Sequence, residues 1–244
     1  MIGEQWLAVA ALAAGLGLLG GCKAAVPPPV PAPALAGAEQ ALAALERRDA
    51  ETRTLTATFE LMVRGADGSA ESTRGAVVVE RPDRLRLQIF SLGFVTVYDY
   101  TVDGDRYRVR RPLERLEGVG RFGAAPRDAS GALGEDLRPL FLRRGRLDEA
   151  QVVDAGTRYR VIVPDPAGTR EIDVGKQGGR VEHETLYADG RRRVEIDYED
   201  YRPVDGGMLP FTIRVAYPLR AVSLVIEVEH YTRNRPVDPG LFRF

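Results

Sequence analysis

The apolar residues of this chain fall into three successive patterns. From Trp6 to Gly21 they run without a charged residue. From Ala38 to Arg48 they take helical spacing, with Leu42 and Leu45 three apart and Glu39, Glu46, Arg47 and Arg48 around them. This predicts a modest amphipathic helix. From residue 54 the period drops to two. Leu55, Ala57, Phe59, Leu61 and Val63 alternate with Thr54, Thr56, Thr58, Glu60 and Met62, as in a half-buried strand.

The alternation then recurs between turn signals. Ala66-Asp67-Gly68, Arg81-Pro82-Asp83, Leu92-Gly93 and Asp103-Gly104 separate strands expected over 75–80, 84–90, 94–101 and 106–110. A second series is expected over 158–163, 170–174, 181–187, 191–201, 209–217 and 221–231. Asp165-Pro166, Gly178-Gly179, Asp189-Gly190 and Asp205-Gly206-Gly207 divide it. Such short links favour antiparallel neighbours. Residues 112–130 look irregular. Leu133, Leu137, Leu140 and Phe141 return to helical spacing, with Pro139 weakening or kinking that helix. The expected class is mainly β (α+β), with about ten or eleven antiparallel strands and two short helices.

A sheet of that length must curl to bury its apolar face. The residues expected to line the hollow are Phe59, Leu61, Val63, Leu85, Leu87, Ile89, Ile213, Val215, Leu224 and Ile226, with Val222 and Val228 on the same face. Two short helices cannot cover such a face fully. They are expected to lie over it as a lid, through Leu42, Leu45, Leu133, Leu137, Leu140 and Phe141, and to leave an apolar groove.

The leading apolar run is shorter than the roughly 20 residues of a comfortable membrane span. Its length suits the apolar region of a signal peptide. Leu19-Gly20-Gly21-Cys22 follows at once and resembles a lipobox, in which a branched apolar residue and two small ones precede the acylated cysteine. Cys22 is the only cysteine, which rules out an intramolecular disulfide framework. Two other readings are an ordinary free thiol and an uncleaved signal anchor. One feature departs from the pattern: Met1 to Gln5 has no basic residue and carries Glu4, which fits a start further upstream. After Cys22, residues 24–36 are rich in proline and favour an extended polyproline spacer. The expected organisation is a signal peptide over 1–21, a lipidated cysteine and tether over 22–37, and a folded domain over 38–244.

The formal net charge of -1 gives no global field toward nucleic acid, and no nucleic-acid partner is expected. Lys23 and Lys176 are the only lysines. His183 and His230, the two histidines, lie on different expected strands beside glutamates; a metal site is conceivable, but surface strand positions explain them more simply. Glu199-Asp200 are adjacent on a strand and so point to opposite faces. There is no Gly-x-Ser-x-Gly elbow and no phosphate-cradling glycine loop. No catalytic residue, metal or cofactor is expected.

Three stretches resemble the LolA/LolB-like superfamily of periplasmic lipoprotein carriers and receptors. They are Gly75 to Leu87, Tyr198-Glu199-Asp200-Tyr201 followed by Gly207-Met208-Leu209-Pro210-Phe211, and Asp238-Pro239-Gly240-Leu241-Phe242. The resemblance covers roughly residues 38–244. It implies an unclosed β-barrel whose mouth is capped by helices and whose cavity binds acyl chains. It also implies a membrane-contact loop, best matched by Phe90, Leu92 and Phe94; the other reading is that Phe90 and Phe94 fold back into the core. Lys23, in place of an aspartate after the cysteine, implies an outer-membrane destination. The expected function is lipoprotein or lipid transport at the envelope. The expected partners are membrane lipid through acylated Cys22, acyl chains or lipoproteins as cargo, and a periplasmic carrier. The alternative is an adaptor lipoprotein that binds a protein partner. The basic tract from Arg106 to Arg146 faces either anionic lipid or plain solvent.

Overall fold

A computed structural model describes residues 33–91, 95–122, 142, 146–165 and 168–243. One helix, α1 (Ala38–Glu51), precedes thirteen strands. The first six are β1 (Thr54–Arg64), β2 (Ala70–Glu80), β3 (Arg84–Phe90), β4 (Thr96–Asp103), β5 (Arg106–Arg111) and β6 (Leu116–Arg121). The other seven are β7 (Gln151–Asp154), β8 (Arg158–Asp165), β9 (Gly168–Gly175), β10 (Val181–Ala188), β11 (Arg191–Val204), β12 (Gly207–Tyr217) and β13 (Val222–Arg233).

All thirteen belong to one sheet, ordered β6-β5-β4-β3-β2-β1-β13-β12-β11-β10-β9-β8-β7. The chain meanders outward from β1 to the β6 edge, then runs back from the β7 edge to β13, which pairs antiparallel with β1. The edges β6 and β7 are not paired with each other, so the sheet is curled but not closed. Short turns make this meander possible. At Asp189-Gly190 and Asp205-Gly206 both residues have positive φ, the backbone that matches the twist of a two-residue hairpin.

The strand number corrects the expectation of ten or eleven. The additional strands are β6 and β7, the two edges. β6 lies where residues 112–130 looked irregular, because Gly118 and Gly120 stand at its inward positions in place of apolar residues. The Tyr107 ring fills the space that a Cβ on Gly120 would occupy. β7 is four residues long and mostly exposed, so it has too little apolar signal to register. The second expected helix falls on residues outside those described.

The core lies on the concave face. Cross-strand partners share a face, and the register links Phe59 to Gly75 and Val228, Leu61 to Ile226, Val63 to Leu224, and Leu85 to Val79. Ala32–Phe244 forms a compact unit of its own, and among the described residues its core draws on none before Leu35. Ala34 bridges to Gln177, and Leu35 N–H donates to the Lys176 carbonyl at 2.7 Å, which ties the start of α1 to the β9–β10 turn. Among the described residues, the C-terminal segment covers part of the convex face. There the C-terminal turn Pro239–Phe242 packs on β3 and β4, burying Phe242, while Arg86 holds Asp99 at 2.8 Å and reaches the Leu241 carbonyl.

Candidate functional site

α1 lies against the concave face and leaves a cavity of about 60 Å³ beneath it. Phe59, Val77, Val79, Ile213, Ile226 and Val228 supply its apolar wall, and Arg48 and Thr52 close it from the helix side. Leu45 of α1 is fully buried in the core and Leu42 is half-buried beside it. Of the residues expected to line the hollow, Phe59, Leu85, Leu87, Ile213, Val215, Leu224 and Ile226 are buried, and Leu61, Val63 and Ile89 are half-buried on the same face. Only Phe59, Ile213 and Ile226 among them touch the cavity. Leu87 instead stands beside Tyr100 and Leu85 beside Val102 of β4.

The lid is a single helix among the described residues. Leu133, Leu137, Leu140 and Phe141 lie outside them, although the adjacent Leu142 is buried in the core cluster. Phe90 is half-buried at the end of β3, where its carbonyl accepts a hydrogen bond from Thr73 Oγ1. Leu92 and Phe94 lie outside the described residues, as do Cys22, Leu19, Gly20 and Gly21.

Antiparallel alternation puts the β3–β4, β5–β6 and β12–β13 turns at one end of the sheet. The last two have the same build, a Pro-Leu turn followed by a left-handed residue, Arg115 or Ala221. Leu113 is 67% exposed and Leu219 63% exposed at their tips. Both are apolar and face solvent at the same end as the turn after Phe90.

Not all of the interior is apolar. Arg170 and Glu184 face the hollow from β9 and β10, almost fully buried and 3.6 Å apart. Tyr198 Oη donates to Glu184 at 3.3 Å, and the Arg48 guanidinium lies 5.7 Å from the Tyr198 ring centre. Burial, and then the Glu184 charge, push the Tyr198 phenol well above its ordinary pKa, so it stays a neutral donor. Desolvation opposes the Arg48 cation, but the Tyr201, Tyr198, Glu184 and Asp49 side chains outweigh it and hold its pKa above the ordinary value. The Asp49 carboxylate itself pairs with Arg81 at 3.2 Å.

Sequence reasoning missed this cluster for a definable reason. Alternation from the buried Val181 would place His183 inward and Glu184 outward, but a bulge between Val181 and His183 reverses the phase. His183 is thereby turned to the convex face, where Nδ1 meets Asp197 at 2.6 Å and Nε2 meets Thr185 at 2.9 Å. His230 is exposed beside Thr232. No group of three His, Cys, Asp or Glu among the described residues is placed to share a metal ion. Glu199 pairs with Arg214, and Asp200 with Arg202, both in the open. Arg106, Arg108 and Arg110 lie on the convex side of β5, while Tyr107 and Val109 are buried on the concave side.

No family model matches this sequence, and no curated protein matches it. Solved structures do match. A DUF1329 family protein from Desulfovibrio piger aligns at TM-score 0.66 and 14% identity, over 84% of this chain and 96% of its own. A LolA superfamily protein from Nitrosomonas europaea aligns at TM-score 0.62 and 13% identity, over 85% and 97%. A putative outer membrane lipoprotein-sorting protein domain from Vibrio parahaemolyticus aligns at TM-score 0.60 and 13% identity, over 84% and 97%. The fold is LolA/LolB-like. At these identities the likeness speaks for the fold alone. The LolA/LolB-like sheet here is the wide, unclosed kind, with one described helix over its concave face.

Proposed function

We propose that this chain is a lipid-anchored outer-membrane lipoprotein whose half-barrel receives acyl chains, from lipids or from lipidated proteins, beneath α1. The observation that carries the proposal is the largely apolar concave face covered, among the described residues, by one amphipathic helix. Each methylene moved onto that face gains roughly 0.8 kcal/mol. The cavity of about 60 Å³ is far below the roughly 300–1,000 Å³ of small-molecule sites. Cargo therefore enters by displacing α1, which is tied down at its ends by Leu35–Lys176 and Arg81–Asp49 and fully buries only Ala41 and Leu45 between. Leu19-Gly20-Gly21-Cys22 supplies the anchor and the proline-rich stretch the spacer. Two or more acyl chains on Cys22 make attachment stable. Leu113 and Leu219, at the same end of the sheet as Phe90, offer apolar tips to a bilayer or a carrier.

Residues 24–244 should take up a fluorescent fatty acid saturably and carry lipid visible by native mass spectrometry. Absence of both would falsify the proposal. Separately, Cys22→Ala should abolish processing and membrane attachment; an unchanged, membrane-bound product would remove the anchor from the scheme.

A second reading has its own support. Tyr98, Tyr100, Tyr107, Tyr198, Tyr217 and Tyr231 are buried on the concave face and fill much of the hollow. A filled hollow suits an adaptor that binds a protein partner through its edges or loops. The same uptake experiment separates the two.

A further inference from the structure

The lining of the mouth opposite the Leu113 and Leu219 tips holds more arginines than carboxylates. An open pocket of about 210 Å³ there is lined by four guanidiniums, from Arg47, Arg48, Arg180 and Arg233. Glu51 is the one acid in that lining, and it is engaged with Arg233 at 3.4 Å. Arg180 lies over the Tyr201 ring at 5.5 Å and Arg48 over the Tyr198 ring at 5.7 Å. Stacking on a ring face leaves the N–H edge of a guanidinium available to an oxyanion.

Arg48 Nη1 shows that this availability is real. It is buried and has no hydrogen-bond partner. A buried cationic donor without an acceptor is unfavourable, and such a group in a native fold needs an explanation. The pocket also shares Arg48, Thr52 and Leu209 with the apolar cavity beneath α1. One arginine thus stands where a polar mouth meets an apolar hollow.

We infer that this mouth holds the oxyanion headgroup of an amphiphile, a carboxylate or a phosphate monoester, whose acyl tail runs beneath α1. The inference rests on the acyl-chain reading above and narrows it to anionic cargo. A neutral headgroup offers Arg48 only an uncharged acceptor, whereas an oxyanion completes it with a hydrogen bond charged on both sides and stronger. Arg47 and Arg180 add long-range attraction that salt screens.

The test compares four probes on residues 24–244, which contain the self-contained unit: hexadecanoate, hexadecyl phosphate, hexadecanol and inorganic phosphate. Displacement of a neutral fluorescent acyl probe reads their affinities. At least one of the two anionic amphiphiles should bind about tenfold more tightly than hexadecanol, the gain expected from one charge-assisted hydrogen bond. Whichever anion binds tighter identifies the headgroup. Arg48→Met should bring that affinity down toward that of hexadecanol; Arg180→Gln, at the rim, serves if Arg48→Met does not fold. Equal affinities for hexadecanol and both anions overturn the headgroup inference and leave the acyl reading standing. No binding by any long-chain probe overturns the acyl reading itself. Inorganic phosphate binding as tightly as hexadecyl phosphate overturns the amphiphile and leaves a site for a free oxyanion.

Discussion

The two wings of the sheet bury different chemistry. On the β1–β6 side the concave face is hydrocarbon and aromatic: Val77, Val79, Leu85, Leu87, Tyr100 and Val109 are all nearly inaccessible. On the β8–β11 side the same face mixes Val161, Ile172 and Ile196 with the Arg170–Glu184 pair and Tyr198. One continuous sheet therefore encloses a hollow that is apolar along one wing and polarised along the other. α1 meets both kinds of surface, with Leu45 buried in the core cluster and Arg48 over Tyr198. The energetics differ too. Apolar packing depends on volume and tolerates swaps that conserve it. A buried ion pair depends on both partners and tolerates the loss of neither.

The sharpest way to break this comparison is a pair of conservative changes, one per wing. Glu184→Gln keeps the size and an acceptor for Tyr198 but leaves Arg170 without its carboxylate. It should cost about 3 kcal/mol or more, read as a lower urea midpoint with an unchanged slope. Leu85→Met, on the fully buried opposite wing, should cost less than about 1.5 kcal/mol. Equal costs would mean that the polar wing is not held by its charges.

A smaller effect probes the packing within the apolar wing. Gly75 of β2 faces Phe59 across the β1–β2 ladder, and a Cβ there would overlap the Phe59 ring and stand 3.0 Å from the Gln88 carbonyl oxygen. Gly75→Ala should cost about 1–3 kcal/mol by overpacking. Adding Phe59→Leu should recover part of that cost, so the two changes should be non-additive in a double-mutant cycle. Additive costs would show that the strain comes from the carbonyl and not the ring.

The same contrast explains what the sequence disclosed. On the apolar wing, alternation from Leu55 to Val63 and from Leu85 to Ile89 carried enough signal to assign both strands and their inward residues. It failed where a glycine replaces a side chain, as at Gly120 of β6, because there the apolar group is the Tyr107 ring from the neighbouring strand. On the polar wing Arg170 stands in phase with Ile172 and Val174, so its inward direction was legible, but a charge there gives no reason to look for a core position. Glu184 was not legible at all, since the bulge after Val181 is a backbone event with no residue signature. Arg48 looked like an exposed end of a helix. Its burial depends on the distant Tyr198, and no local pattern records that contact.

The convex face of the polar wing supplies the smallest effect and the one with a pH signature. Asp173, directly behind the buried residues of β9, is almost fully buried although it faces outward. Arg160 grips it with two hydrogen bonds, at 2.8 and 3.0 Å, and Arg158 adds a third at 3.1 Å. Desolvation works to raise its pKa, but the Arg160 hydrogen bonds, the charges of Arg160 and Arg158, and then His183 outweigh it and hold the carboxyl below its ordinary 3.8. A carboxyl with a depressed folded pKa contributes stability at pH values above its unfolded pKa and loses it as pH falls through the folded value. Both arginines remain 41% exposed, so losing the charge should cost only on the order of 1 kcal/mol. Asp173→Asn should therefore differ from the parent by a constant amount from pH 7 down to about pH 5. The difference should shrink below about pH 4, as the parent carboxyl becomes protonated. A gap that stays constant into strong acid would show that Asp173 acts through its shape and hydrogen bonds and not through its charge.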